Sequence, residues 1–432
     1  MFVYRKIIIL LTVAVNFCYG YKVLVVFPIP GRSHSILGEG YVKHLLAAGH
    51  EVTYITPLPV KEPHPKLRQV DVSENFKFMP TDIFNVEKFM TKEIDLQDYF
   101  LFHGVMHGVL YKTYQLPVIQ KFINDPKEQY DVVVIEWLYS ELSSGFSSVF
   151  NCPYIWSSSM IPHTAVLSLI DDHVNPAYNV HHLSRHYTTT FWDRLQHWYF
   201  IAKLSYYRWS ERNEYNEYFK NIFGQATIKR GNQLPHFDDV RYNGSMMLGN
   251  SHAVTGDGIA LPENYKHIGA HPNCVLFITH GGLLSIMETL NAGIPIIGMP
   301  FFADQYVNIE RAAAKGFGMA MDFNEKTPDL LRDAIKEMVE NPSYKQRAKE
   351  FSAIFKNNIV TPGQQLAYWV EYVIETKGTV HLRSPAILAS WYKKFHIDIV
   401  FVFVLGFILV IKLCKSLLML IKIDDSQKKK KS

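Results

Sequence analysis

Short apolar runs rich in β-branched residues alternate along this chain with longer segments of helical periodicity, and this alternation constrains the fold more than any other feature. Lys22–Phe27 is such a run and is typical of a buried parallel strand. Ile36–Ala48 follows with helical spacing and ends at Gly49, and Glu51–Ile55 is a second strand. Together they predict a βαβ unit, the building block of a parallel sheet with helices on both faces.

The alternation occurs in two stretches of the chain, which predicts two α/β domains. In the first, Tyr130–Ile135 and Pro153–Trp156 are further strands around a helix-like segment, and Ser245–Asn250 is a short predicted strand before the linker. In the second, we predict strands and helices at Val275–Thr279, Leu283–Ala292, Pro295–Met299, Gln305–Lys315, Gly318–Asp322, Thr327–Glu340, Tyr344–Asn358 and Thr361–Lys377. We therefore expect a first Rossmann-like domain of residues 21–250, a linker of residues 251–273 and a second domain of residues 274–390.

The two ends of the chain carry predicted targeting segments. Residues 1–20 combine Arg5–Lys6, an apolar stretch and a small-residue cleavage site, which is typical of a secretory signal peptide. Residues 397–421 are apolar enough for a transmembrane helix, and a basic tail of residues 422–432 follows. Positive charge on that side favours a cytosolic tail and a lumenal bulk, a single-pass type I arrangement. Lys428–Lys431 resemble the dilysine retrieval signal of endoplasmic reticulum membrane proteins, with a stop-transfer charge cluster as the alternative.

Composition argues against some classes of function. A formal net charge of +4, with no basic stripe interleaved with aromatic residues, argues against nucleic acid as a partner. The four cysteines form no disulfide framework, although Cys152 and Cys274 could pair, and no spacing predicts a metal site. Asn243 opens the sequon Asn-Gly-Ser and is a predicted glycosylation site.

A polar cluster follows the predicted strand Val275–Thr279. In an open parallel sheet, ligands bind beyond the carboxyl ends of the strands. Gly281 and Gly282 allow close approach of the backbone, and His280 adds a side-chain donor. The helix that opens at about Leu283 offers free N–H groups and a positive dipole end. This combination predicts a phosphate site.

Four further polar residues extend the cluster: Ser285, Glu288, Asp304 and Gln305. Ser285 and Glu288 have the spacing of a capping box, so they could simply start the helix. That alternative does not explain why the next strand also ends in a polar pair, Asp304 and Gln305. A carboxylate and an amide together accept and donate hydrogen bonds, as vicinal sugar hydroxyls require. These residues predict a sugar site beside the phosphate site.

The loop after the first strand carries a candidate base. His34 lies at the same edge of its sheet, and a histidine titrates near neutrality, so it can take a proton from an attacking hydroxyl. Glu136 follows the neighbouring strand Tyr130–Ile135 and could orient the imidazole. Asp131, in the same strand, is the candidate for a turn or capping role.

The stretch from Phe277 to Gln305 resembles the signature of the UDP-glycosyltransferases, and the similarity covers nearly the whole chain, including the motif HLRSPA at 381–386. Insect members are the most similar. The resemblance implies a GT-B-like fold of two Rossmann-like domains facing a cleft. It also implies an inverting enzyme that moves a hexose from a UDP-sugar, with no cofactor, to a hydroxyl of a small lipophilic acceptor such as a phenol or xenobiotic. The insect likeness favours glucose over glucuronic acid and implies a role in detoxification.

The resemblance also implies roles for individual residues. His280 and Ser285 contact the diphosphate, Glu288 holds the ribose, and Asp304 and Gln305 hold the donor sugar. His34 is the base and Glu136 its partner. Many members have aspartate at the position of Glu136, so the longer glutamate side chain must repack. The aromatic segments Tyr99–Tyr114 and His186–Phe223 would shape the acceptor pocket, with ordinary core and membrane-facing surface as the alternative.

One part of the family pattern is missing. Gly269 runs directly into Ala270, where full-length relatives have three more strand–helix units, one of which carries a segment that stacks on uracil. The chain is therefore about 75–90 residues short, at ~25–30 residues per unit, as if an exon were skipped or the gene model incomplete. We expect a second domain truncated to about three parallel strands, with Val275–Thr279 at an open edge, and weak or absent activity. The alternative function is an inactive, membrane-anchored binding protein or a homo- or hetero-oligomeric partner of related transferases.

Overall fold

The computed structural model describes residues 20–80, 98–170, 190–251, 261–268, 276–301, 303–322, 327–384, 390–394 and 396–431. The predicted signal peptide, Cys274 and the junction between Gly269 and Ala270 lie outside the described residues. Two compact units divide the chain after Arg383. Both predicted α/β halves belong to the first unit.

A seven-stranded parallel sheet forms the first half of that unit. Its order is β3-β2-β1-β4-β5-β6-β7, a doubly wound topology with β1 at the centre. The strands are β1 Lys22–Val26, β2 Glu51–Thr56, β3 Leu67–Asp71, β4 Val132–Trp137, β5 Tyr154–Ser158, β6 Met246–Gly249 and β7 Tyr265–His267. The predicted buried strands of the first domain are confirmed, and the structure adds β3 and β7.

Helices cover both faces of this sheet. They are α1 Arg32–Ala47, α2 Tyr99–Gln115, α3 Pro117–Asn124, α4 Gly145–Phe150, α5 Thr164–Leu167, α6 Phe191–Ser210, α7 Arg212–Lys229 and α8 Phe237–Arg241. Successive strand residues point to opposite faces. Accordingly, Leu24 and Val26 of β1 pack into the core beneath α2, whereas Val23 and Val25 pack into the core beneath α1. Burial on both faces explains why this strand is a continuous apolar run.

The second half has a three-stranded parallel sheet of order β10-β9-β8. Its elements are β8 Phe277–Thr279, α9 Leu283–Ala292, β9 Ile296–Gly298, α10 Gln305–Ala314, β10 Gly318–Ala320, α11 Thr327–Glu340 and α12 Pro342–Lys356. Within the described residues β8 forms an edge of the sheet, and Ile278 on it is 39% exposed. The three parallel strands expected for this half are present among the described residues, and the deletion itself stays a prediction.

Two predicted boundaries are wrong. β7 falls within residues 251–273, which the sequence assigned to a linker, and it adds the last strand to the first sheet. Helix α13, Pro362–Glu375, falls within the predicted second domain but packs on the first sheet, where Leu366, Val370 and Val373 join the core beneath α1. Its contact with α1 is close, because a Cβ on Gly363 would lie 2.1 Å from His44 Nδ1.

A buried charged cluster lies between α2 and α6. Glu141 is 1% exposed; its Oε1 accepts a hydrogen bond from Trp137 Nε1 at 3.0 Å and lies 3.8 Å from Arg208 Nη2. His103 Nε2 lies 3.9 Å from the other carboxylate oxygen. Burial alone would raise the pKa of Glu141, but His103 and Arg208 hold that pKa well below its usual range. The cluster therefore ties α6 to the loop after β4 through a paired charge.

The second unit contains α14, Trp391–Lys394, and α15, Ile397–Lys431. Residues Ile397–Ser416 of α15 are long and apolar enough to cross a membrane. This stretch coincides with most of the transmembrane helix predicted at residues 397–421.

Candidate active site

The candidate base lies where β1 leads into α1. His34 is in the first turn of α1, and Glu136 is the penultimate residue of β4, the strand next to β1. His34 Nδ1 is hydrogen-bonded to Glu136 Oε1. The carboxylate is buried, and its Oε2 has no hydrogen-bond partner among the described residues. The predicted pairing of histidine and glutamate is therefore present, with the longer glutamate side chain in direct contact with the ring.

Electrostatics favour the protonated form of His34. Burial acts to lower the pKa of this imidazole, but the charge and hydrogen bond of Glu136, with a smaller contribution from Asp304, outweigh burial and raise it. A histidine whose pKa is raised can accept a proton and hold it as a stabilised imidazolium. Since Nδ1 is bonded to Glu136, Nε2 is the nitrogen that can receive that proton.

The turn between β8 and α9 requires its two glycines. Gly281 has a φ of +84°, and a Cβ there would also lie 3.0 Å from the backbone oxygen of Gln305. A Cβ on Gly282 would lie 2.7 Å from His280 Nε2. The turn therefore holds the histidine ring against the start of the helix. Burial lowers the pKa of His280, so at neutral pH the ring is uncharged and can donate one hydrogen bond.

The structure rules out the capping-box alternative for Ser285. Helix α9 begins at Leu283, with Gly282 as N-cap and no side-chain capping hydrogen bond. Ser285 lies within the first turn, where its Oγ accepts a hydrogen bond from Thr279 Oγ1 at 3.0 Å. The amides of this first turn have no intrahelical acceptor. Glu288 lies one turn further along the helix and is half-buried.

Asp304 and Gln305, the polar pair after β9, differ in their hydrogen bonds and in their exposure. Asp304 precedes α10 and accepts a hydrogen bond from Asn308 Nδ2 at 2.8 Å; burial raises the pKa of its carboxyl, with Asn308 and His34 opposing that rise. Gln305 is 3% exposed, and its Oε1 accepts the backbone N–H of Phe301 at 2.9 Å. The amide oxygen of Gln305 therefore supports the loop before α10, whereas Asp304 is the more accessible of the two.

One cavity joins the two halves of the first unit. Its volume is about 410 Å³, and the candidate residues that line it are His34, His280, Gly282, Ser285, Glu288, Asp304 and Gln305. Glu136 and Gly281 support it from behind, the first through His34 and the second through the turn. The expectation that the loops after β8 and β9 face the same cleft as His34 is confirmed.

The wall contributed by the first half is mostly apolar, although Ser33, Ser159 and Asn250 also line it beside His34. Phe102 and Met106 of α2 line the cavity together with Met79, Leu138 and Met160. Part of the aromatic segment Tyr99–Tyr114 therefore shapes this wall, as predicted. The described part of the other predicted segment, residues 190–223, does not line the cavity, because the inner face of α6 packs behind α2.

Sequence reasoning missed two lining residues with unusual backbones. Tyr139 has a φ of 56° and Ala303 a φ of 53°, the left-handed region that non-glycine residues seldom adopt. Each such residue costs about 1–3 kcal/mol, and such strain clusters at functional sites. The only sequence signal for them is their position shortly after β4 and β9, since neither residue type predicts a positive φ.

The first residue of the sequon is exposed and the last is buried. Asn243 is exposed, and its backbone oxygen accepts a hydrogen bond from Arg383 Nη2 at 2.9 Å. Ser245, which completes the sequon, is fully buried. Glycosylation at Asn243 stays a prediction.

Comparisons with known proteins agree with this geometry. Residues 261–431 match a family model described as "UDP-glucoronosyl and UDP-glucosyl transferase". UDP-glycosyltransferase UGT5 of Dactylopius coccus is 25% identical over 495 aligned positions, which cover 90% of each chain. UDP-glucuronosyltransferase 3A1 of Homo sapiens is 37% identical over 150 residues, 34% of this chain and 28% of that protein. The crystal structure of CalG4, the calicheamicin glycosyltransferase, has a TM-score of 0.51 at 13% identity, covering 82% of this chain and 98% of that chain, and shows the GT-B fold.

Proposed function

Since this chain belongs to the family of UDP-glucuronosyl and UDP-glucosyl transferases, we propose that it moves a hexose, with glucose favoured, from a UDP-sugar to a hydroxyl of a small lipophilic acceptor. The observation that carries this proposal is the single cavity lined by His34 on one side and by His280 and Asp304 on the other. A base and an anion-binding helix start that share a cavity of this size are what a single displacement needs.

His34 activates the acceptor hydroxyl, which is the nucleophile. Nε2 of His34 takes the proton of the acceptor hydroxyl as its oxygen attacks the anomeric carbon of the donor. Glu136 keeps the other ring nitrogen protonated and stabilises the imidazolium that forms. The attack comes from the side opposite the diphosphate, so the configuration at the anomeric carbon inverts.

The donor side stabilises the leaving group. The bond between the anomeric carbon and the β-phosphate oxygen breaks, and the charge that develops on UDP meets the free amides at the start of α9. His280 and Ser285 add two side-chain donors there, and Glu288 is placed one turn away for the ribose hydroxyls. Asp304 is the proposed acceptor of hydrogen bonds from the sugar, because Gln305 already uses its amide oxygen within the loop.

The apolar wall supports a lipophilic acceptor. His34 shares the cavity with Phe102, Met106 and Leu138, which offer no charge to a polar substrate. Phenols and similar xenobiotics match this lining.

We propose further that donor binding is weak in this chain. None of the described lining residues from the second half is phenylalanine, tyrosine or tryptophan, so the described part of that wall offers no aromatic ring for uracil to stack on. The open edge at β8 also supports a loss of neighbouring strands. The alignment with UGT5 is longer than the chain itself, so that relative has positions with no counterpart here. These same observations favour the second candidate function, a non-catalytic binding protein or partner of full-length transferases.

The proposed location is the endoplasmic reticulum membrane, in a type I orientation with the cavity in the lumen. It rests on a helix long enough to cross a membrane and on the basic tail that follows it.

A transfer assay tests the function. Microsomes that contain the full chain are given labelled UDP-glucose and a panel of phenols, beside microsomes with Dactylopius coccus UGT5 and with the His34→Ala variant. We expect slow transfer that disappears in His34→Ala. Label transfer that persists without the histidine would contradict the assigned base, and turnover equal to that of UGT5 would contradict weak donor binding.

Calorimetry separates the enzyme from the binding protein. The detergent-solubilised chain is titrated with UDP, and Gly282→Ala serves as the matched variant with a disturbed turn. Heat that is weaker in the variant supports a donor site at α9. A titration without heat favours the non-catalytic alternative.

A further inference from the structure

The outer face of α6 exposes large apolar and mostly aromatic side chains near both ends of the helix. Its members are Phe191, Trp192, Leu195, Tyr199, Tyr206 and Trp209, which we call the aromatic stripe, and each is 47% to 70% exposed. At 100° per residue these positions fall within about 100° of the helix circumference. A soluble surface seldom exposes so continuous an apolar strip, so this face is expected to meet something other than water.

The exposure of the stripe is not a result of a loosely placed helix. On the opposite face, His197, Phe200, Leu204 and Arg208 are buried. The ring of Phe200 lies 5.6 Å from that of Tyr99 on α2, and Arg208 reaches the buried Glu141 described above. The helix is thus fixed through its inner face, which turns the stripe outward.

Cationic side chains flank the stripe on both sides. By helical position, Arg194 lies beyond one margin and Lys203 beyond the other. Lys203 Nζ stands 4.2 Å from the centre of the Phe100 ring, which holds the lysine beside the stripe. Tryptophan and tyrosine bordered by basic residues is the composition of helices that lie in the headgroup region of a bilayer.

We infer that α6 lies on the surface of a lipid bilayer, with the aromatic stripe inserted among the headgroups. The face is the convex side of one helix, about 30 Å long, and not a groove that would receive a partner segment. Residues 384–396 alone join the first unit to the helix that can cross a membrane, a reach of roughly 45 Å at full extension. A linker of this length keeps the first unit within reach of the bilayer that the anchor would cross, so lipid is an occupant available to this face.

The contact would also affect the cavity. The inner face of α6 packs on α2, whose Phe102 and Met106 form the apolar wall. A docked α6 places that wall one helix away from the lipid, the phase in which lipophilic acceptors concentrate.

Fluorescence quenching in vesicles tests the inference. The full chain, with Trp391→Phe to remove the tryptophan near the anchor, is reconstituted in vesicles of phosphatidylcholine and phosphatidylserine at 4:1, with and without brominated phosphatidylcholine. We expect bromine to quench the emission of Trp192 and Trp209 and the emission to be blue-shifted relative to detergent. The double variant Leu195→Glu/Tyr199→Glu places two charges in the stripe and should lose both effects.

A matched control carries the same charges outside the stripe. Gln196→Glu/Ser205→Glu should be quenched like the parent, since both residues are exposed and lie beyond the margins. If the stripe variant misfolds by circular dichroism, Trp192→Phe/Trp198→Phe/Trp209→Phe replaces it, because this triple variant removes all three exposed tryptophans of α6, keeps an apolar face and should remove the quenching from this helix. Equal quenching in the parent and in the variant used, or no quenching in the parent, overturns the inference and leaves the face to solvent or to a protein partner.

Discussion

Replacing Glu136 by glutamine should lower the pKa of His34 without changing the shape of the site. Glutamine keeps an oxygen beside Nδ1 but removes the charge, so burial, which acts to lower this pKa, becomes the dominant influence. A hydrogen bond to a charged partner contributes about 1.5–3 kcal/mol. At 1.36 kcal/mol per factor of ten, the neutral fraction of His34 at low pH should rise about ten- to a hundredfold.

Carbethoxylation measures this fraction directly, because diethyl pyrocarbonate reacts only with neutral imidazole. The rate for the peptide that contains His34 is followed by mass spectrometry from pH 5 upward and divided by its plateau at high pH, which cancels differences in access. Glu39→Gln is the control, since it removes a carboxylate from α1 that pairs with Arg32 and does not contact the histidine. A Glu136→Gln profile that coincides with that of the wild type would refute the electrostatic argument.

Three shorter predictions concern other parts of the molecule. Gly282→Ala should push the His280 ring out of the cavity and weaken UDP binding by up to about tenfold, the contribution of one net hydrogen bond; unchanged affinity in calorimetry would contradict the assigned role. Glu141→Gln should destabilise the fold by about 3 kcal/mol in denaturant titrations, because Arg208 loses its buried counter-charge, and a loss below 1 kcal/mol would argue against that pair. Ile278→Lys should reduce self-association in size-exclusion chromatography, because it places a charge on the open edge at β8. Unchanged self-association would show that this edge does not mediate contacts between chains.

Much of the fold follows from the sequence because its signals are local. Helix α9 is predicted with both ends correct, since Gly282 and Gly293 bracket it and the second takes the left-handed backbone of a helix C-cap, with a φ of 67°. β1 and β4 are recognisable because both of their faces are buried.

The missed elements depend on tertiary contacts. β3 is a half-exposed strand at the end of the sheet, and β7 has only three residues. Neither therefore has an apolar run long enough to predict a strand from the sequence. The return of α13 to the first sheet also has no local signal, because an amphipathic helix does not specify which sheet it covers.

The candidate site shows the same division. The residue types at the strand ends predicted one cavity, and His34, His280 and Asp304 do line it. The sequence could not show that the amide oxygen of Gln305 accepts a hydrogen bond from the backbone of Phe301. It also could not show that Tyr139 and Ala303 adopt positive φ, because the packing of the surrounding loops decides both features.

The position of α13 decides where a secreted version of this protein could end. Its apolar side chains cover α1, the helix that carries His34, and burying each is worth about 1.5–3 kcal/mol. A chain stopped near residue 360, at the last helix of the second sheet, would uncover that helix and loosen the base. A chain stopped after Arg383 would keep α13 and the bond from Arg383 to Asn243, and would be free of the anchor.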